Sequence, residues 1–188
     1  MDKLFLLVLI VCFVSCKSNP QQVKQDKETT TEISNPIAEK SSKKEVETSF
    51  TNANGEKIQK IVKTPKQWAS ELSKMEYYVL REKGTERPRT SELLEIKDTG
   101  VYTCRACDLP LFESDTKFKS GTGWPSFYQP IEREVILEDT DYDLGYARTE
   151  VMCRRCEGHL GHVFKDGPDP TGLRYCINGV SLRFQKSE

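Results

Sequence analysis

Seven cysteines and two histidines carry most of the chemistry available to this 188-residue chain. Four cysteines stand as Cys104-x-x-Cys107 and Cys153-x-x-Cys156, two tight knuckles that supply the four thiolates of a closed, structural Zn²⁺ site. Cys12 and Cys16 lie in an apolar N-terminus, so Cys176 is the one uncommitted thiol of the globular part. Both histidines follow the second knuckle, as Cys156-x-x-His159-x-x-His162. A finger made from Cys153, Cys156, His159 and His162 is disfavoured, because such fingers separate their pairs by about a dozen residues. It would also strand Cys104 and Cys107. With four cysteines on metal, His159 and His162 are released for proton transfer near neutral pH. The competing reading of either is a satisfied core histidine.

Two further segments frame the thiol. In an extended Gly172–Gly179 stretch, Arg174, Cys176 and Asn178 project from one face and Tyr175 and Ile177 from the other. A cation and an amide beside a thiol favour its thiolate, whereas an inert buried cysteine is the ordinary alternative. Ser120-Gly121-Thr122-Gly123-Trp124-Pro125-Ser126-Phe127 is too rich in glycine and proline for regular structure. It is either a loop presenting Trp124 or a tight turn burying it. It has no phosphate-loop lysine, which argues against nucleotide binding.

These residues need a scaffold. Thr64-Pro65-Lys66-Gln67 combines an N-cap, a first-turn proline and a capping-box glutamine. Trp68, Leu72, Met75 and Val79 follow at helical spacing, with Gly84 as a stop. Ser73-x-x-Glu76 is a second capping box, so two short helices compete with one longer one. Beyond Gly100, short strands are expected at 101–103, 135–137, 151–152, 163–164, 173–177 and 180–184. Turn signals at 98–100, 166–168 and 178–179 punctuate them. The expected domain covers 64–188, a modest core for which a structural metal is a useful addition. Residues 17–63 are polar, with Phe50 the sole aromatic, and read as a disordered linker. Residues 1–16 read as a lipoprotein-type signal peptide: Lys3, an apolar run over 4–14, then Ser15-Cys16. Cys16 is the expected lipidated residue of an exported bacterial lipoprotein, anchored to a membrane and facing the periplasm or cell surface. A net charge of −1 argues against a nucleic-acid partner.

Taken together, several motifs resemble methionine sulfoxide reductase B. They are Arg87-Pro-Arg-Thr-Ser-Glu-Leu, the first knuckle, Ser120-Gly-Thr-Gly-Trp-Pro-Ser-Phe, Cys153-x-x-Cys156-x-Gly-His-Leu-Gly-His-Val-Phe and Arg174-Tyr-Cys-Ile-Asn-Gly. The resemblance runs from about residue 65 to the end. It implies a mainly β fold of two antiparallel sheets (a β-tent, Mss4-like), short N-terminal helices, and one structural Zn²⁺ away from the active site. It implies reduction of the R epimer of methionine sulfoxide in oxidised proteins, a repair reaction under oxidative stress. Residue by residue, the nucleophile falls on Cys176, the active-site histidines on His159 and His162, and Asn178 and Arg174 beside the sulfur. Trp124 falls on the position that packs against the substrate methyl, and Asp166 on an acidic position at the pocket rim. In the implied reaction Cys176 attacks the sulfoxide sulfur, His162 protonates the departing oxygen, and a Cys176 sulfenic acid results. Many relatives carry a resolving cysteine where this chain has Thr122. The expected reductant is therefore external, a thioredoxin-like protein or a small thiol. The rival from another class is a non-catalytic zinc-ribbon-like binding module. A different thiol enzyme would normally use a cysteine near a helix N-terminus or an active-site CxxC, and both CxxC pairs are claimed by metal in this reading.

Overall fold

The computed structural model describes residues 47–188. The expected signal peptide, Cys12, Cys16 and most of the expected linker lie outside the described residues. Order begins before the helix signal. β1 (Ser49–Thr51) and β2 (Lys57–Gln59) pair antiparallel. The Asn54-Gly55 turn between them places Gly55 at φ 82, a left-handed conformation that glycine adopts without strain. Phe50 is 3% exposed, and the Ile61 N–H donates to the Arg155 carbonyl at 2.7 Å. The expected linker thus ends well short of residue 63. Averaged composition hid one aromatic, one turn and two isoleucines, which together dock this stretch beside the second knuckle.

Both capping boxes form. Thr64 with Gln67 starts α1 (Pro65–Glu71), and Ser73 with Glu76 starts α2 (Lys74–Glu82). Leu72 and Ser73 are extended, so the two-helix alternative holds. The break rotates the expected stripe: Met75 is 50% exposed, while Val79 and Leu80 turn into the core beside Trp68. Lys83, at φ 57, is the left-handed residue that ends α2. Gly84 serves packing instead, since a Cβ there would lie 2.3 Å from the Tyr78 ring.

The remaining strands form two antiparallel sheets. β3 (Gly100–Cys104), β4 (Pro110–Glu113) and β11 (Leu182–Lys186) make a three-stranded sheet in the order β11-β3-β4. β5 (Lys117–Phe118), β6 (Ser126–Phe127), β7 (Ile136–Asp141), β8 (Arg148–Cys153), β9 (His159–Phe164) and β10 (Arg174–Ile177) make the larger one, ordered β5-β6-β10-β9-β8-β7. Val135 and Val180 fall in 3₁₀ turns just before their strands. Aromatic rings join the sheets. Phe112 stacks on Phe127 at 4.4 Å, and Tyr102 meets Phe127 edge-on at 5.0 Å, all three fully buried. Edge and offset contacts of this kind add to the area they bury. The opposite face of the larger sheet is left to carry polar side chains.

Candidate active site

Register assembles the site. Glu150 of β8 opposes His162 of β9, which opposes Cys176 of β10, which opposes Ser126 of β6, which opposes Phe118 of β5. Directly opposed residues share a face, so this row crosses the sheet on one side. Tyr175, Ile177 and Phe127, one position away, point into the core.

A strand alternates faces at every residue, so His159 and His162 would point oppositely in a regular β9. A bulge prevents this. Val151 opposes Gly161 but Met152 opposes His159, leaving Leu160 as the extra residue. Leu160 is fully buried, and the two imidazoles come together edge-on at 5.4 Å. Gly161 permits the close approach of β9 to β10, because a Cβ there would sit 2.1 Å from the Cys176 carbonyl oxygen.

Each imidazole has one nitrogen on a carboxylate. His159 Nδ1 lies 2.7 Å from Glu150 Oε1, and the other Glu150 oxygen accepts from Lys83 Nζ at 2.7 Å. His162 Nε2 lies 2.7 Å from Asp141 Oδ2, which also accepts from Arg148. His159 Nε2 and His162 Nδ1 have no partner among the described residues. Carboxylates placed this way fix the tautomer and ring orientation. Burial lowers the His159 pKa against the pull of Glu150. The Asp143 backbone N–H, then His162 and Arg148, hold Asp141 at about 2. Sequence reading missed Lys83, Asp141, Arg148 and Glu150. The available signal was charge at alternate positions of a strand, Arg148 and Glu150, where a face turned to solvent would ordinarily suffice as explanation.

The other expected residues are distributed around the sulfur. Arg174 forks onto Asp166 with two 2.9 Å hydrogen bonds and covers the Phe164 ring at 4.3 Å. Asp166 chiefly, and Cys176 to a lesser degree, strengthen the hold of that guanidinium on its proton. Asp166 thus orients Arg174. Asn178 lies just past the end of β10. Its amide donates to the Leu160 carbonyl at 3.0 Å and accepts the Glu86 N–H at 3.1 Å, so it pins the bulge. Glu86, itself buried, accepts the Val180 N–H at 3.0 Å. Trp124 is partly buried, with its indole N–H donated to the Glu86 carbonyl at 3.1 Å. Thr122 Oγ1 lies 3.6 Å from Cys176 Sγ and 2.9 Å from Ser120 Oγ, which in turn lies 2.7 Å from Ser126 Oγ. Cys176 is half-buried, and the other four described cysteines gather elsewhere.

Those four form a buried cluster whose sulfurs lie within 4.8 Å of one another, with Cys104–Cys156 at 3.6 Å and Cys107–Cys153 at 3.5 Å. A tetrahedral ion with metal–sulfur bonds of about 2.3 Å separates its ligands by about 3.8 Å, so the donor set fits a metal ion of that kind. Both knuckles end alike, on Asp108 at φ 57 and Glu157 at φ 56. Neighbouring thiols, Cys107 first, push the Cys104 thiol up, and burial pushes Cys153 up. A bound cation would reverse both effects.

Residues 72–186 match the SelR domain family model. Three proteins each named peptide methionine sulfoxide reductase MsrB are similar over most of the described chain. The protein from Leptospira interrogans is 54% identical over 124 residues, 66% of this chain and 95% of its own. That from Pseudomonas putida is 56% identical over 128 residues (68% and 96%). That from Methanosarcina mazei is 55% identical over 129 residues (69% and 92%). A family model across most of the chain, and relatives covered nearly end to end, leave one assignment: the chain belongs to the SelR-domain, methionine sulfoxide reductase B family.

Proposed function

We propose that the chain reduces the R epimer of methionine sulfoxide in proteins to methionine. The observation that carries this reading is the cross-strand pairing of half-buried Cys176 with His162, whose far nitrogen is held by Asp141. Cys176 thiolate attacks the sulfoxide sulfur. An imidazolium at His162 gives its Nδ1 proton to the departing oxygen and stays neutral, still held by Asp141 through Nε2. That hydroxyl passes from the methionine sulfur to the Cys176 sulfur as the S–S bond just formed breaks, so the sulfoxide sulfur gains two electrons, Cys176 loses two, and methionine leaves with Cys176 as a sulfenic acid. Arg174, oriented by Asp166, places its guanidinium charge beside the sulfur. Trp124 supplies an aromatic wall for the substrate methyl.

Among the described residues, the other four cysteines gather in the metal-type cluster, and Thr122 Oγ1 occupies the contact from which a thiol could resolve the sulfenic acid. An external thiol therefore displaces water to form a mixed disulfide. A second thiol then releases Cys176, with a thioredoxin-like domain or a small dithiol as the source. The four-cysteine cluster holds structural Zn²⁺ and takes no part in these steps. Upstream of the described residues, Cys16 is the lipidated residue of an exported protein, with the catalytic domain outside the cytoplasm. Incorporation of labelled lipid that is lost in Cys16→Ala tests this anchor.

The deciding experiment supplies separated R and S epimers, with dithiothreitol as reductant, to the wild-type protein and to Cys176→Ser. Turnover of the R epimer by the wild type alone is expected. Turnover by Cys176→Ser, or preference for the S epimer, overturns the proposal.

A further inference from the structure

Beside β5, at the edge of the larger sheet, lies a cavity of about 730 Å³. It contains neither Cys176 nor either histidine. It does share the 120–125 loop with the site: Ser120, Gly121, Gly123, Trp124 and Pro125 line it, and Ser120 Oγ lies 2.9 Å from Thr122 Oγ1, the hydroxyl next to Cys176. Phe118, at the end of the row through Cys176, is part of its wall. Two strand spacings separate Phe118 from Cys176, about 10 Å, a distance three extended residues cover.

The charges in this groove are one-sided. Arg89, Lys97, Lys117 and Lys119 line it against Glu95 alone. Lys117 is spent on the Leu94 and Ile96 carbonyls, at 3.1 and 2.9 Å. The side chains of Arg89, Lys97 and Lys119 have no acceptor among the described residues. Three exposed cations along a concave surface, facing Glu95 as its one carboxylate, favour an anionic occupant over a cationic one.

We infer that this groove binds an acidic stretch of the substrate polypeptide, about three residues from the methionine sulfoxide seated at Cys176. The inference rests on the proposed reduction and adds a sequence preference to it. Glutamate or aspartate at that spacing meets Lys97, Lys119 and Arg89, while lysine there is repelled. A free sulfoxide amino acid is too short to reach the groove and gains nothing from it.

The test measures binding without turnover. Fluorescence anisotropy on Cys176→Ser compares two peptides whose central methionine sulfoxide has glutamates or lysines three residues away on both sides. The glutamate peptide is expected to bind roughly three- to tenfold more tightly at low salt. That margin should shrink at high salt and vanish or invert in Lys97→Glu/Lys119→Glu. The same double substitution, with Cys176 intact, should reduce free methionine sulfoxide at the wild-type rate. Equal binding of the two peptides, or a preference that survives charge reversal, overturns the inference. So does a double variant that binds both peptides normally but loses efficiency only with a protein thiol reductant. Absence of R-sulfoxide turnover by the wild type on either peptide would instead defeat the catalytic reading.

Discussion

At the residue scale, each imidazole has one nitrogen held by a carboxylate, and the proposed proton transfer depends on that. His162→Gln keeps a polar side chain but cannot become a cationic acid, so turnover should fall about 10²-fold or more. Initial rates on an R-sulfoxide peptide check this. Asp141→Asn keeps the ring and releases its tautomer, so a smaller loss is expected, roughly one order of magnitude. That loss should come with an altered pH–rate profile, which a merely structural role would not move. Asp141 also carries a stability signature. Its folded pKa, about 2, lies below the unfolded carboxylate value, so its contribution is complete above about pH 4. It is lost as pH falls toward the folded value. Acid titrations of stability should therefore fall less steeply over that window in Asp141→Asn than in the wild type. Cys176, His159 and His162 were legible in the sequence because residue type and scarcity singled them out. Asp141, Arg148, Glu150 and Lys83 were not, because charged residues on a strand or helix end look like ordinary surface until the fold shows what they face.

At the element scale, the decisive device is the bulge at Leu160, which turns His159 onto the face of His162. Nothing in a Gly158-His159-Leu160-Gly161-His162 string announces an extra residue. It becomes visible only in the pairing of β8 with β9. Gly161→Ala would force the Cβ into the Cys176 carbonyl. Relief requires parting β9 from β10, which should cost about 1–3 kcal/mol or more and lower turnover together with stability. Denaturant titration and kinetics on the same preparation check both. The helices show the opposite case. Their capping boxes were readable to the residue, since a side chain bonding to a backbone three positions away is local chemistry. Burial was readable only in part: Trp68 and Val79 are buried as their spacing implied, but Met75 is not, because its orientation depends on the kink at Leu72-Ser73. Ser73→Ala removes the α2 cap and should cost about 1 kcal/mol, with activity at low temperature unchanged. The hairpin at Phe50 was hidden for the same reason, its burial being set by the distant turn around Arg155.

At the scale of the whole molecule, the knuckles join the two sheets. Cys104 closes β3 in the smaller sheet, and Cys153 closes β8 in the larger one. One ion held by all four cysteines would staple the layers together. Each sheet by itself buries one face against the other, and a domain of this size has little stability to spare. The spacing Cys104-x-x-Cys107 with Cys153-x-x-Cys156 predicted the donor set. It could not predict the staple, because sheet membership is a long-range property. The consequence is a cross-layer dependence on metal that is separate from the reaction. Cys104→Ser or Cys153→Ser leaves three thiolates and an open coordination position, so the loss should register as global stability. A cost of a few kcal/mol lowers the melting temperature by roughly 10 °C, and both variants should lose it alike although they sit on different sheets. Thermal melts with and without a strong chelator, read beside metal content, provide the check. Chelated wild type should melt where the variants do, and residual turnover per folded molecule should be preserved. A variant that kept its melting temperature while losing turnover would move the metal from the scaffold into the chemistry.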